Sequence, residues 1–424
     1  MRVLVLAFDP ITDEMPGPAI RAWNLAEQLA GEHAVRLATT SAATRTHRAM
    51  DVIAVSGPDL ASLAAWADVV VAPTSVVRRH PAVAEAGKPL CIDMYIPTHL
   101  ENLEPFGEAG GPDHQAAVAH QVAVINDDLR RGDYFLCASE RQRDLWIGAL
   151  AVLGRINPRT YDDDPSLRRL IDMVPFGIPG EPPRRVGPGL SEAFPGIDPS
   201  DPVVIWGGGI YNWLDPLSLL RAVDRLRTAI PAVRLVFLGM RNPNPDIPEM
   251  RVAAELRRLS DELSLTGSHV FFNDGWVPYD ARATFLLDAC VGVSTHLEHV
   301  ETRFSFRTRV LDYLWAGLPM VLTEGDTLSE EIDAAGLGVA VPPGDPDAVA
   351  AALRRLIEDP PDRERVQAYA VRYRWEAVTA PLRAYCSEAW RAPDVAGPRP
   401  TVPPSPPRRT VRLRRAVGRA LRGR

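Results

Sequence analysis

Short runs of β-branched and aliphatic residues alternate along this chain with longer segments of helical apolar period, and no other feature constrains the fold as strongly. Strands joined by helical crossovers build a mostly parallel sheet, so the class is α/β. The first half offers strands at Arg2–Phe8, Val35–Ala38, Val69–Ala72, Pro89–Ile92 with Asp93 at its end, Tyr134–Ala138 and Val174–Ile178. An amphipathic helix is expected over Ala19–Ala30, after the loop Asp9–Pro18. Residues 179–202 are crowded with Pro and Gly and carry no period, which marks a linker. The alternation then restarts with strands at Val203–Trp206, Val233–Leu238, Val270–Phe272, Val291–Thr295 and Met320–Leu322, separated by helical segments near 216–227, 248–262, 280–289, 309–316 and 346–357. Trp375–Trp390 reads as a final helix, begun or interrupted at Pro381. The expected organisation is two α/β domains, 1–178 and 203–372, then a C-terminal helix at 373–390 and a tail at 391–424.

Charge is divided unevenly over this plan. The 424 residues sum to −7, but segment 391–424 holds ten Arg against Asp394 alone, so it contributes +9 and leaves −16 on the rest. An acidic body argues against a nucleic-acid-binding surface. Lys88 is the only lysine, so any anion site must be built from Arg and backbone amides. Cys91, Cys137, Cys290 and Cys386 show no paired spacing, which disfavours a disulfide framework or a zinc site and fits a reducing cytoplasm. The apolar run Val3–Phe8 is too short for a signal-peptide core, and no stretch approaches the roughly 18 apolar residues of a membrane span. The tail itself reads as a proline-rich extended spacer at 391–407. It is followed by Arg408–Arg424, which places Leu413, Ala416, Val417, Ala420 and Leu421 on one helical face. Arg surrounds that face, a pattern suited to an anionic membrane surface; a solvated tail is the alternative.

The stretch richest in chemistry is Ser294–Pro319, STHLEHVETRFSFRTRVLDYLWAGLP. A polar loop follows a strand, Thr308 and Arg309 open a helix, and Asp312 stands one turn in. Free amides and the dipole at a helix N-terminus favour an anion, and Arg307 and Arg309 add bidentate positive charge suited to phosphate. A carboxylate one turn later can accept hydrogen bonds from ribose hydroxyls. On spacing alone, an ion-pair set among Arg307, Arg309 and Asp312 is an equal alternative. His296 and His299 flank the same loop, as solvated residues or as partners of sugar hydroxyls. Gly317 and Pro319 stop the helix.

This stretch resembles the family 4 (group 1) glycosyltransferases of GT-B fold. Their motif is a Glu, seven residues and a second Glu, on a helix ending in AxGxPV, which LDYLWAGLPMV (311–321) matches with Asp312 in place of the second Glu. Further pieces fall in family order: Met173–Pro179 resembles the hinge strand VIPNGVD, Val204–Gly209 (VIWGGG) the first glycine-rich loop, Val233–Gly239 the strand LxIVG, 270–276 (VFFNDGW) the strand and turn VxFxGxV, and Gly336–Pro342 with Asp345 the segment GxLVPPxD. The resemblance implies two Rossmann-like domains facing a cleft, and transfer of a sugar from a nucleotide-diphosphate sugar to a hydroxyl acceptor with retention. It implies no cofactor and no metal, and an acceptor that is a glycan or lipid-linked intermediate of cell-envelope polysaccharide synthesis. The protein itself is expected in the cytoplasm, peripheral at the inner face of the cell membrane if the tail 408–424 binds there. A nucleotide-sugar epimerase of the same fold, or a noncatalytic nucleotide-sugar-binding scaffold, is the alternative.

Carried over residue by residue, the resemblance puts Asp312 on the ribose, Arg307, Thr308, Arg309, Gly17 and Gly209 near the donor diphosphate, and Trp276 on the nucleobase. The pattern departs in two places. Phe304 stands where the first Glu, the donor-sugar contact, is expected, so Glu301 is proposed to substitute through a lengthened loop. Ile210, Tyr211, Asn212 and Trp213 replace the usual basic residues after the glycine-rich loop, so phosphate neutralisation falls to Arg307 and Arg309. Glu301, Asp93 and His296 are the catalytic candidates. Asp93 is chosen because ligands in open α/β folds gather at strand C-terminal ends, close to Tyr95 and His99. The acidic run Asp162–Asp164 is read as a solvated loop rather than a metal site.

Overall fold

The computed structural model of the protein describes residues 1–104 and 112–395; the Arg-rich segment 408–424 lies outside them. The first half contains β1 (Arg2–Ala7), β2 (Ala34–Thr39), β3 (Met50–Ala54), β4 (Val69–Pro73), β5 (Leu90–Asp93), β6 (Tyr134–Cys137) and β7 (Ile171–Met173). They form one parallel sheet in the order β3-β2-β1-β4-β5-β6-β7. The second half contains β8 (Val203–Gly209), β9 (Arg234–Gly239), β10 (Val270–Phe272), β11 (Val291–Ser294), β12 (Met320–Thr323) and β13 (Gly338–Val341), parallel in the order β10-β9-β8-β11-β12-β13. Helices cover both faces, so central strands such as β6 and β12 are buried along their whole length and read as continuous apolar runs.

Each sheet reverses its strand order once, between β1 and β4 and between β8 and β11. At such a switch point the crossover helices leave on opposite faces, and a crevice opens beyond the strand C-termini. The crevices of the two halves face each other. The helices that begin there, Gly17–Ala30 after β1 and Thr308–Ala316 after β11, both start without a side-chain cap, so their first amides are left for other partners.

The chain crosses between the halves twice, side by side. Val174–Ile178 is not a strand as expected; β7 ends at Met173, and the following residues form the outward crossing. The Ile178 amide donates to Tyr373 O at 2.7 Å, and the Trp375 amide donates to Ile178 O at 3.0 Å. Trp375 packs so close to Gly177 that a Cβ there would meet the indole at 2.5 Å. The returning segment is two helices rather than one, Trp375–Val378 and Ala380–Glu388, with Pro381 in the first turn of the second, where its missing N–H costs nothing. Tyr385 of the second helix stacks on Tyr134 at 4.6 Å.

The spacer reading of 391–407 is corrected at its start. Ala392 is buried, Asp394 is 9% exposed and accepts both Nε and Nη2 of Arg155, and Asp133 accepts from the Arg391 side chain and the Ala392 amide. Residues 391–395 are therefore fastened to the N-terminal half by two carboxylate–arginine clasps. The run Asp162–Asp164 is also not a loop: it ends the short helix Pro158–Asp163, and Asp164 accepts from the Ser166 and Arg169 amides. β3, an edge strand with a half-exposed pattern, was not anticipated because its five residues carry only a weak apolar run.

Candidate functional site

Both crevices open into one cavity of about 510 Å3 between the halves. Its C-terminal wall is the turn that ends β8. Gly208 there has φ +84, a left-handed conformation that glycine adopts without the Cβ clash other residues suffer. The turn is held from below by Tyr313, whose hydroxyl accepts the Gly207 amide at 2.8 Å and donates to Val293 O at 2.8 Å. Arg309 lies across the turn, donating to Gly209 O at 2.7 Å, with its guanidinium 4.4 Å from the centre of the Trp206 ring.

Arg307 and Arg309 line the cavity two residues apart but are in different electrostatic states. Arg307 is bound bidentately by Glu301, at 2.7 and 3.1 Å, and Glu301 is 1% exposed. Among the described residues no carboxylate pairs with Arg309, and its Nη1 is buried without a partner. Burial, reinforced by Arg307, pulls the Arg309 pKa down to about 10, so it still carries its charge at neutral pH. Of the two, Arg307 has its charge matched by Glu301, although its Nε is also buried without a partner, and Arg309 is the cation with no matching carboxylate among the described residues.

Thr308, Asp312, Gly17, Gly209 and Trp276 also line the cavity. Asp312 accepts from Arg282 Nε at 3.1 Å, and Arg282 in turn lies over the Tyr279 ring at 3.8 Å. The Asp312 carboxylate is thus oriented by an arginine from the neighbouring helix, not by Arg307 or Arg309. At Gly17 an added Cβ would meet nothing within 4 Å; the backbone there borders open space at the start of a helix. Trp276 packs over Gly239, where a Cβ would approach the indole to 2.9 Å, and over Gly209, and its Nε1 donates to Met15 O of the opposite half at 3.1 Å. The indole therefore forms a floor and ties the two halves together.

The three catalytic candidates fall elsewhere. Glu301 does not reach the cavity wall; it lies behind Arg307 and fixes that guanidinium. His296 is 1% exposed, and burial, with Arg307 nearby, lowers its pKa to about 4, so the ring is neutral. Its Nε2 stands 3.9 Å from the buried Asp326 carboxylate. Asp93 is held by both Nε and Nη2 of Arg21 at 2.5 and 2.9 Å and lines a second cavity rather than the main one. Phe304 turns its carbonyl to Gln142 Nε2 at 2.8 Å, and the same nitrogen donates to Tyr95 O. That position serves as a tie between the halves.

Two cavity residues went unread in the sequence. Glu101 ends the short helix Thr98–Glu101 and faces Arg307 from the N-terminal half. Burial pushes its pKa up to about 8, and the like charge of Glu301 adds to the rise while Arg307 opposes it. No sequence signal marks Glu101, because its approach to Arg307 depends on how the halves meet. Asp9 stands two residues past the end of β1 and accepts from Asn244 Nδ2 of the opposite half at 2.6 Å. The strand-end rule that selected Asp93 applies equally to Asp9 and would have found it.

A family model described as glycosyl transferases group 1 matches residues 201–359. A comparison with curated protein sequences yields no match. Among solved structures, the chain is similar to sucrose-phosphate synthase from Thermosynechococcus elongatus (16% identity, TM-score 0.63, covering 92% of this chain and 98% of that one). It is also similar to WaaG, a glycosyltransferase involved in lipopolysaccharide biosynthesis (16%, 0.61, 92% and 99%), and to Anabaena HepE in complex with UDP-glucose (15%, 0.65, 92% and 98%). The architecture of this chain is that of the GT-B glycosyltransferases, and the half that carries Arg309 and Asp312 matches group 1 of that class.

Proposed function

We propose that the protein transfers a sugar from a nucleoside-diphosphate sugar to a hydroxyl acceptor in the cleft between its halves. The observation that carries this reading is Arg309: a buried guanidinium with no anionic partner among the described residues, placed on a glycine turn and at an uncapped helix start. As the bond to the anomeric carbon breaks, negative charge grows on the diphosphate, and a fixed cation with backbone amides opposes it at little reorganisation cost. The amides at Gly17 and Thr308 approach the same cavity from the two halves. Asp312, oriented by Arg282, receives the ribose hydroxyls, and Trp276 offers its face to the base. Glu301 acts through Arg307 rather than on the sugar. HepE structures hold UDP-glucose or UDP, which supports a uridine donor.

Transfer with retention follows the family 4 resemblance. The acceptor in this reading is a glycan or lipid-linked intermediate of cell-envelope polysaccharide synthesis. The basic sequence 408–424 would bring the enzyme to anionic lipid at the inner membrane face. Among the described residues no helix is long and apolar enough to cross a membrane. The test is release of nucleoside diphosphate from a panel of UDP-, GDP- and ADP-sugars, with calorimetric binding of the free diphosphates. Release from one donor is expected. Binding without release would favour the scaffold reading, and donor interconversion without release would favour an epimerase.

A further inference from the structure

A second cavity, of about 300 Å3, lies at the C-terminal ends of β1, β4 and β5 and is closed from the opposite half by Asn244, Asp246 and Ile247. It adjoins the main cavity, with Asp9, Tyr95 and Thr98 as the polar side chains in both walls. Two of these are engaged: Tyr95 donates to Phe306 O at 2.8 Å, and Thr98 Oγ1 accepts from Gln121 Nε2 at 2.7 Å. Asp9 accepts from Asn244 through Oδ1, and among the described residues no donor reaches Oδ2. The remaining carboxylates each line one cavity only. Asp312 and Glu101 belong to the larger, and Asp93, held by Arg21, and Asp246 to the smaller.

Resting on the donor reading above, we propose that Asp9 is the group that receives the acceptor hydroxyl at the junction of the two cavities. The acceptor enters through the smaller cavity and the donor sugar occupies the larger. The hydroxyl meets the anomeric carbon on the face from which the diphosphate departs, as retention requires; its O–H bond breaks as its oxygen bonds to that carbon, and the proton passes to Asp9 Oδ2. The bond from that carbon to the diphosphate breaks with its electron pair left on the phosphate oxygen, and the proton returns to solvent after product leaves. Asn244 fixes the carboxylate through the other oxygen, so Oδ2 keeps its lone pairs for the hydroxyl. The surroundings suit a proton acceptor: burial and nearby Asp246 raise the pKa of Asp9, opposed by Asn244 and Arg79.

The experiment compares the full-length protein with Asp9→Asn, which keeps the shape and an acceptor for Asn244. Nucleoside diphosphate release from the donor identified above is followed with water or an added alcohol as the hydroxyl, and diphosphate binding is measured by calorimetry. General-base loss lowers kcat by about 100-fold, with diphosphate affinity within twofold and loss of the acid limb of the pH profile. Wild-type turnover in Asp9→Asn overturns the role of Asp9 and leaves the donor reading standing. Absence of diphosphate binding and release in the unmutated protein overturns that reading itself. A variant that loses diphosphate binding together with turnover also overturns the proposal, because Asp9 would then be supporting the cleft and not the hydroxyl.

Discussion

The two rims of the cleft are built from equivalent topology yet hold charge in opposite ways. On the C-terminal rim, charges are locked to each other: the buried Glu301 to Arg307, and the half-exposed Asp312 to Arg282, with a neutral His296 beneath. One cation, Arg309, is left over among the described residues. On the N-terminal rim Arg21 is consumed by Asp93, Arg79 lies over the Phe8 ring in the smaller cavity, and the groups left facing the larger cavity are carboxyls, Asp9 and Glu101. A diphosphate belongs opposite a spare cation and a hydroxyl opposite a spare carboxylate. The difference assigns the donor to one rim and the acceptor to the other.

Breaking the locked rim gives the largest effect. Arg307→Gln leaves Glu301 buried without its partner, which costs about 3–5 kcal/mol, read as a lowered midpoint in urea denaturation. The double replacement Arg307→Met with Glu301→Leu recovers most of that loss. If the single and double variants are equally unstable, the pair is not a mutual lock.

His296 tests the same rim through pH. Its lowered pKa means that between an ordinary imidazole value and about 4 the folded protein binds fewer protons than the unfolded chain. The stability is present above that range and is lost as pH falls through it, on the order of 3 kcal/mol in all. Asp326, raised by its own burial, offsets part of the loss. His296→Asn flattens the acid side of the stability curve; an unchanged slope would mean that His296 does not titrate there.

The spare cation is sharpened by Arg309→Ala. Loss of a charge-assisted contact to phosphate is worth roughly 1.5–3 kcal/mol, a weakening of diphosphate affinity by about tenfold to a hundredfold in calorimetry, with the urea midpoint nearly unchanged. The smallest effect concerns the tie between the rims. Trp276→Phe keeps an aromatic ring over Gly209 and Gly239 but removes the hydrogen bond to Met15 O, about 0.5–1.5 kcal/mol, visible as a modest drop in Tm.

The sequence carried the C-terminal rim further than the N-terminal one, for a physical reason. Residues 294–319 are contiguous, so a strand, a loop, an uncapped helix start and a carboxylate one turn later can be placed by local rules alone. For the first helix the same rules expected a start at Ala19 with Gly17 in the loop before it, and the helix begins at Gly17 itself. They could not tell Arg307 from Arg309, because that difference arises when the loop folds Glu301 back onto Arg307. Nor could they find Glu101 facing Arg307, or see that Trp276 reaches Met15, since those contacts span 206 and 261 positions in the chain. The packed segment 391–395 was misread for a similar reason. Its composition is that of a spacer, but Asp394 meets Arg155 across the molecule.

By itself the sequence determined the α/β class, the two halves, the positions of most strands along the chain and the place where an anion could sit, because periodicity, strand ends and helix starts are local properties. Only the tertiary structure decided which charges are spent and which are free. Ion pairing and burial depend on neighbours brought together by the fold, and the free groups, Arg309 and Asp9, are the ones from which the function is argued.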